Sequence, residues 1–221
     1  IVSLNPAQVI FTWSHPIHGP VYSFLARAIR KHIDVELVLE DYTTWFQARR
    51  PEPRSRRLIL GNPPYTRAQL LPLKDRARLV ADTVGMCGTR SSLSTFITAL
   101  TLNHLNPDDG LCLLLPAQWL ESEYARDLRK YLLQLRHRRV ELRLAPSEMF
   151  SDAVVDAVIL LVGAERPEEQ PFVVSTWEDH AGHTVDRGNS TPKAWRSWFK
   201  ASRSTGSGRS TDHRLLDDVA V

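Results

Sequence analysis

Asn62, Pro63, Pro64 and Tyr65 stand in a row directly after the apolar run 57–60 (RLIL) and Gly61. That order has chemical meaning. Proline fixes φ and lacks an N–H, so two in succession cannot carry a strand onward. They hold the carboxamide of Asn62 and the carbonyl of Pro63 at a rigid corner. Both oxygens accept hydrogen bonds, and a planar exocyclic amine has two protons to donate. Such pairing draws the amine nitrogen toward tetrahedral geometry and frees its lone pair for attack. Tyr65 adds an aromatic face on which a base can stack. The bland alternative is an ordinary Pro-Pro turn with Asn as a local cap. Placement directly after an apolar strand favours the chemical reading.

Other reactive residue types lack the spacing their chemistry needs. His15, His18, His180, His183, Cys87 and Cys112 do not fall at zinc-ligand intervals, so no metal site is expected. No nucleophile-elbow pattern occurs. Gly85, Gly88, Gly206 and Gly208 are not followed by the Lys-Ser/Thr of a phosphate loop. Trp195 and Trp198 are three residues apart and share a helical face, which reads as core or interface.

The elements that must position the Asn62 corner follow from hydrophobic periodicity. QVIFTW (8–13) and DVELVL (34–39) read as strands, separated by an amphipathic helix over 21–32. RLIL (57–60) is a third strand, and 66–90 is a mixed, partly helical connection. SSLSTFITALTLNHL (91–105) repeats apolar residues at helical spacing until Asn106-Pro107-Asp108-Asp109-Gly110 stops it. LCLLL (111–115) is a buried strand, and 120–136 a helix with Leu128, Leu132 and Leu135 inward. VELRL (140–144) and VVDAVILLV (154–162) are further strands. This alternation predicts an α/β domain with a mostly parallel sheet and helices on both faces. Such sheets bind ligands beyond the carboxyl ends of their strands. Glu40-Asp41 and Asn62 both follow such ends, which predicts that they share a site.

From 165 onward the composition turns Pro- and Glu-rich, and 201–212 has the make-up of a flexible linker. The expected organisation is a partial catalytic domain over 1–164, a connector with a flexible linker over 165–212, and the start of another domain at 213–221. The net charge of +3 over 221 residues permits nucleic-acid binding without demanding it. Two clusters say more. Arg49, Arg50, Arg54, Arg56 and Arg57 crowd one Pro-broken loop, which suits backbone phosphates. Arg126, Arg129, Lys130, Arg136, Arg138 and Arg139 follow on a later helix and beyond; a solvated surface is the alternative for both. No apolar run is long enough to span a bilayer, no signal peptide is seen, and two cysteines make no disulfide framework. A cytoplasmic location is the expectation.

LILGNPPY is similar to the motif of amino-group methyltransferases, which include adenine-specific DNA enzymes and some protein-glutamine enzymes. The downstream order SSLSTFITALTLNHL, GLCLLLPAQWL and ESEYARDLRKYLLQL resembles the DNA branch found in restriction–modification methylases. Met149-Phe150-Ser151-Asp152-Ala153 before VVDAVILLV matches that branch's Phe-containing turn, so the resemblance covers about residues 8–164. It implies a class I S-adenosylmethionine-dependent methyltransferase (Rossmann-like) sheet, mostly parallel with an antiparallel last strand. It implies an adenine-specific (N6) DNA methyltransferase of a restriction–modification or phage-defence system. By the same resemblance, Asn62 and the Pro63 carbonyl, with Pro64 fixing the turn, hold the adenine amino group. Tyr65 stacks on the flipped base and Phe150 packs on its other side or edge. Asp41 and Asn62 contact S-adenosylmethionine, and double-stranded DNA and a restriction or specificity subunit are the partners. Because the target amine lies inside the duplex stack, the base must be extruded.

Two departures from the pattern are visible. The family's glycine-rich cofactor loop on the first strand does not occur here, so the chain is expected to be cut before Ile1. HRLLDDVAV (213–221) resembles the opening of a target-recognition domain, so the far end is expected to be cut as well. Where the family carries an acidic residue after its second strand, this chain reads Trp13-Ser14-His15-Pro16. The competing readings are a methyltransferase acting on protein glutamine or an RNA base, and a degenerate, non-catalytic DNA-binding subunit.

Overall fold

The computed structural model describes residues 8–12, 34–38, 41–48, 57–145, 156–177, 182–188, 195, 198 and 199. The chain divides into two compact units, one through Glu52 and one from Pro53. The first unit contains β1 (Gln8–Thr12) and β2 (Asp34–Val38), paired in parallel with Gln8 opposite Asp34 and Thr12 opposite Val38. After β2 comes α1 (Tyr42–Ala48). The helix expected over 21–32 lies outside the described residues.

The second unit is built on a six-stranded sheet. Its strands are β3 (Leu58–Gly61), β4 (Gly110–Pro116), β5 (Arg138–Ala145), β6 (Ala157–Glu165), β7 (Phe172–Thr176) and β8 (His183–Thr184). The spatial order is β3-β4-β6-β5-β7-β8. β3 and β4 run parallel, as do β5 and β7. β6 is antiparallel to both β4 and β5, between which it is inserted. Thus β3, β4, β5 and β7 share one direction, and their carboxyl ends form one edge. The sheet is α/β and mixed, with most strands in one direction; the strand expected to be last, β6, is antiparallel as expected but is followed by β7 and by β8, which is antiparallel to β7.

The strands are where they are because of what they bury. In β4, Leu111, Leu113 and Leu115 alternate inward and are 2% exposed each, while Cys112 and Leu114 on the other face are partly covered. β6 contributes Val158, Leu160 and Val162 in the same rhythm. Between β3 and β4 lie a 3-10 turn (Ala68–Leu70), α2 (Leu73–Asp82) and α3 (Leu93–Asn103). In α3 every residue from Ser94 to Leu102 is buried. Its hydroxyls are satisfied on the helix itself: Thr98 and Thr101 donate to the carbonyls of Ser94 and Ile97, each at 2.8 Å. The Ser92 hydroxyl caps the start by accepting from the Thr95 N–H at 3.3 Å.

The helix expected over 120–136 is shorter than its periodicity suggests. Two 3-10 turns, Ala117–Leu120 and Glu123–Ala125, precede α4 (Arg126–Gln134). The buried guanidinium of Arg129 explains the break, because it donates to the carbonyls of Trp119 and, at 2.8 Å, Ser122. The sheet also continues past the stretch expected to be a connector. β7 pairs with β5, and each of its five residues is buried. Beyond it, Trp195 is fully buried against Trp119 and Phe172 and stacks on Trp198 at 4.9 Å. The Trp195–Trp198 pair is therefore core. Arg187 ties this region down by donating to the carbonyls of Leu132, Leu133, Arg138 and Gln170. No described helix is long and apolar enough to cross a membrane.

Candidate active site at the carboxyl edge of β3

β3 opens and closes on two different kinds of junction. At its start, the Arg57 backbone N–H donates to Asp109 Oδ1 at 2.9 Å and its Nε to Oδ2 at 3.1 Å. Arg57 Nη2 reaches the same carboxylate and, at 2.8 Å, the His104 carbonyl. Asp109 is fully buried, also accepts from the Asn106 N–H at 2.7 Å, and takes Arg138 Nη1 on its own carbonyl at 3.0 Å. These contacts fix where β3 lies against β4 and so where it ends.

At its end, Gly61 pairs opposite Leu113. A Cβ on Gly61 would stand 3.0 Å from Leu113 Cδ2, so glycine permits this close approach. The chain then leaves the sheet. Pro63 is buried, whereas Asn62, Pro64 and Tyr65 are exposed, Tyr65 by 39%. The Asn62 carboxamide makes no hydrogen bond with any described residue. The turn is caught again at Thr66, whose carbonyl accepts the Leu93 N–H at 2.9 Å. That bond satisfies one of the unpaired donors in the first turn of α3. The Asn62–Tyr65 corner is thus held at both ends by the fold, while Asn62, Pro64 and Tyr65 are exposed at the carboxyl edge. Partial burial raises the Tyr65 phenol above its ordinary value, so it stays neutral near pH 7.

Asp41 lies three residues past the end of β2, in the first unit. It begins α1: its Oδ1 accepts the Thr43 N–H at 3.0 Å, and its carbonyl accepts from Thr44 and Trp45 at 3.1 and 2.9 Å. A capping role is evident for this side chain. Phe150, Arg49, Arg50, Arg54 and Arg56 lie outside the described residues.

Arg57 is corrected. Its guanidinium is engaged with Asp109 and His104 inside the fold, so it anchors β3 rather than waiting for a phosphate. The second cationic cluster is divided between core and the solvated surface that was the alternative for it. Arg129 and Arg138 are buried on backbone carbonyls, and Arg126, Lys130 and Arg136 pair with Glu123, Asp127 and Glu169. Among the described residues no group of three His, Cys, Asp or Glu could hold a metal ion. A cavity of about 350 Å³ lies at the amino end of β7, lined by Arg136, Glu169, Phe172 and Arg187 among others. It is at the wrong edge of the sheet for the Asn62 chemistry.

Sequence reasoning missed the Asp109 junction. The signal was present, since Asp109 directly precedes β4 and Arg57 directly precedes β3, and parallel neighbours bring their starts together.

Comparison with known proteins shows what the fold is similar to. Residues 52–150 match the model of the Eco57I restriction-modification methylase family. No curated protein matches the chain. Among solved structures, the DrdV–DNA complex aligns with a TM-score of 0.59 at 10% identity, over 92% of this chain and 25% of that one. The methyltransferase subunit of a type I restriction-modification system from Streptococcus thermophilus aligns at 0.52 and 15% identity, over 74% of this chain and 35% of that one. The M protein of the type I restriction enzyme EcoKI aligns at 0.50 and 12% identity, over 76% and 35%. At such identities the likeness concerns the fold, and the chain spans only a quarter to about a third of these structures' length. The family match covers the Arg57 anchor, β3, the Asn62 turn and the whole of β4 and β5. Over residues 52–150, just under half of its length, the chain is thus similar to the Eco57I restriction-modification methylase family.

Proposed function

We propose that the protein methylates the exocyclic amino group of adenine in double-stranded DNA, as the modification component of a restriction–modification or phage-defence system. The observation that carries this is an exposed, unbonded Asn62 carboxamide on a rigid Pro-Pro corner at the carboxyl edge of parallel strands. The Asn62 side-chain oxygen and the Pro63 carbonyl accept the two amine protons. The nitrogen lone pair, withdrawn from the ring by that pairing, becomes available for attack. Tyr65, neutral and partly exposed, presents a ring face to an extruded base. By the resemblance of its turn, Phe150 is assigned to the base's other side or edge.

S-adenosylmethionine, when bound, supplies an electrophilic methyl group on a good leaving group, so no covalent enzyme intermediate or metal is called for. In the second unit, the unbonded amide of Asn62, beyond the carboxyl end of a parallel strand, is a polar group that would help to hold it. The protein's own work is to align the amine, polarise it and exclude water. Double-stranded DNA and a specificity or restriction subunit are the partners this reading requires.

The test is methylation of plasmid DNA by the full-length protein, followed by nucleoside analysis. N6-methyladenine supports the reading. Methyl label on protein glutamine or on RNA, with none on DNA, overturns it. Cofactor binding without any transfer would make the protein a binding subunit instead.

A further inference from the structure

The segment after the Asn62 turn carries a surface that methyl transfer leaves unused. Leu70 is 74% exposed and Leu73 is 77% exposed. They close the 3-10 turn and open α2, so both follow closely on Tyr65. A single bare leucine is ordinary on a protein surface, and two would prove little. Their surroundings are more informative. Arg67 and Lys74 flank them, are exposed, and form no ion pair with a described residue. Arg76 and Arg78 lie one turn further on, against the single nearby carboxylate of Asp75 and the Asp82 that pairs with Arg78. The tip is also fixed. The Leu70 and Leu71 N–H groups donate to the carbonyls of Arg67 and Ala68 at 3.0 and 3.1 Å. The Arg76 N–H donates to the Pro72 carbonyl at 3.0 Å, and Ala68 is buried beneath. Two exposed leucines flanked along the chain by the exposed cations Arg67 and Lys74, on a hydrogen-bonded turn, suit a polyanion whose interior is apolar.

We propose that Leu70 and Leu73 form a wedge that enters the DNA stack at the place the extruded adenine vacates, with Arg67 and Lys74 on the flanking phosphates. The proposal rests on the reading of the Asn62 turn as the site of a nucleobase amine. Extrusion leaves a gap in the stack and forfeits stacking energy. An aliphatic side chain pushed between base steps fills the gap and holds the duplex open. The phosphates on either side then meet the two free cations.

The experiment uses the full-length protein and a duplex containing the adenine that plasmid methylation identifies as the target. Its companion carries a mismatch opposite that adenine, so the base is already loosened. With L70A/L73A, kcat/KM on the matched duplex should fall about tenfold or more, the low end of what a lost wedge and its stacking are worth. On the mismatched duplex the loss should shrink to within about threefold, because extrusion there costs less. L70M/L73M should restore most of the matched rate. R67Q and K74Q should each reduce the slope of log affinity against log salt by about 0.9. Equal rates for L70A/L73A and the unaltered protein on both duplexes would overturn the wedge. So would equal losses on both together with a lowered melting temperature, which would show the leucines covered by protein instead. If the unaltered protein methylates no DNA, the reading of the Asn62 turn fails first and the wedge falls with it.

Discussion

The two ends of β3 lie only a few residues apart and follow opposite plans. At Arg57 the donors turn inward onto a fully buried carboxylate, and that carboxylate is shared with the Asn106 N–H. At Asn62 the side chain faces out and bonds to no described residue. A polar group left unsatisfied inside a protein is costly, so the first arrangement is what stability requires. A polar group left unsatisfied at a surface costs little and is available to a ligand. The difference teaches where this strand carries its stability and where it carries its chemistry. The amino end fixes register, and the carboxyl end spends that fixity on holding an amide still.

Substitutions can break or sharpen this contrast. The largest effect is expected from Asp109→Ala, which strands the Arg57 guanidinium and two backbone donors. Unfolding free energy should fall by about 3–5 kcal/mol, measured by urea titration. A loss under about 1 kcal/mol would show that the closed end is not what secures the sheet. Asn62→Ala should behave oppositely. Turnover should drop by a factor equivalent to about 3 kcal/mol of barrier, with the urea midpoint unmoved. Near-normal turnover would remove the open end from the chemistry altogether.

Two smaller effects refine the picture. Tyr65→Ala should cost about 1–3 kcal/mol in kcat/KM through lost base stacking, while Tyr65→Phe should cost almost nothing. The phenol is raised by burial, so its neutral form persists to higher pH than usual. The rate should therefore show no Tyr65 ionisation between about pH 7 and pH 9, a window below the ordinary tyrosine value of about 10. A hydroxyl requirement, seen as a large Phe defect, would assign Tyr65 a different role. Ser92→Ala removes the cap beside the Leu93–Thr66 bond and should cost about 1 kcal/mol of stability. A larger effect on turnover than on stability would mean that the α3 start steers the turn.

How much of this was legible beforehand varies with the kind of interaction. β4 and β6 could be read because apolar runs announce buried strands whatever they pack against. The Asn62 corner could be read because proline restricts the backbone locally. The arginines could not. Arg129, Arg138 and Arg187 are bound by main-chain carbonyls, and a carbonyl has no letter of its own in a sequence. The clustering of Arg129 and Arg138 with their neighbours resembled a phosphate surface because charge is visible and its partner is not. β7 went unassigned for a related reason. Its PFVVST run follows a Pro- and Glu-rich stretch, and only pairing with β5 reveals that it extends the same sheet. The start of α4 moved because Arg129 holds back the carbonyls of a preceding loop, which no helical periodicity records.

The insertion of β6 has a consequence for how the molecule is made. β4 and β5 leave the ribosome earlier, yet their hydrogen-bonded connection runs through β6. A nascent chain that has emerged only as far as Ala145 holds the β3–β4 pair and a β5 with no partner, without the strand that joins them. The middle of the sheet closes when Glu165 is released, so folding of this unit waits on one late strand, and synthesis that stalls before it leaves apolar edges open to other chains.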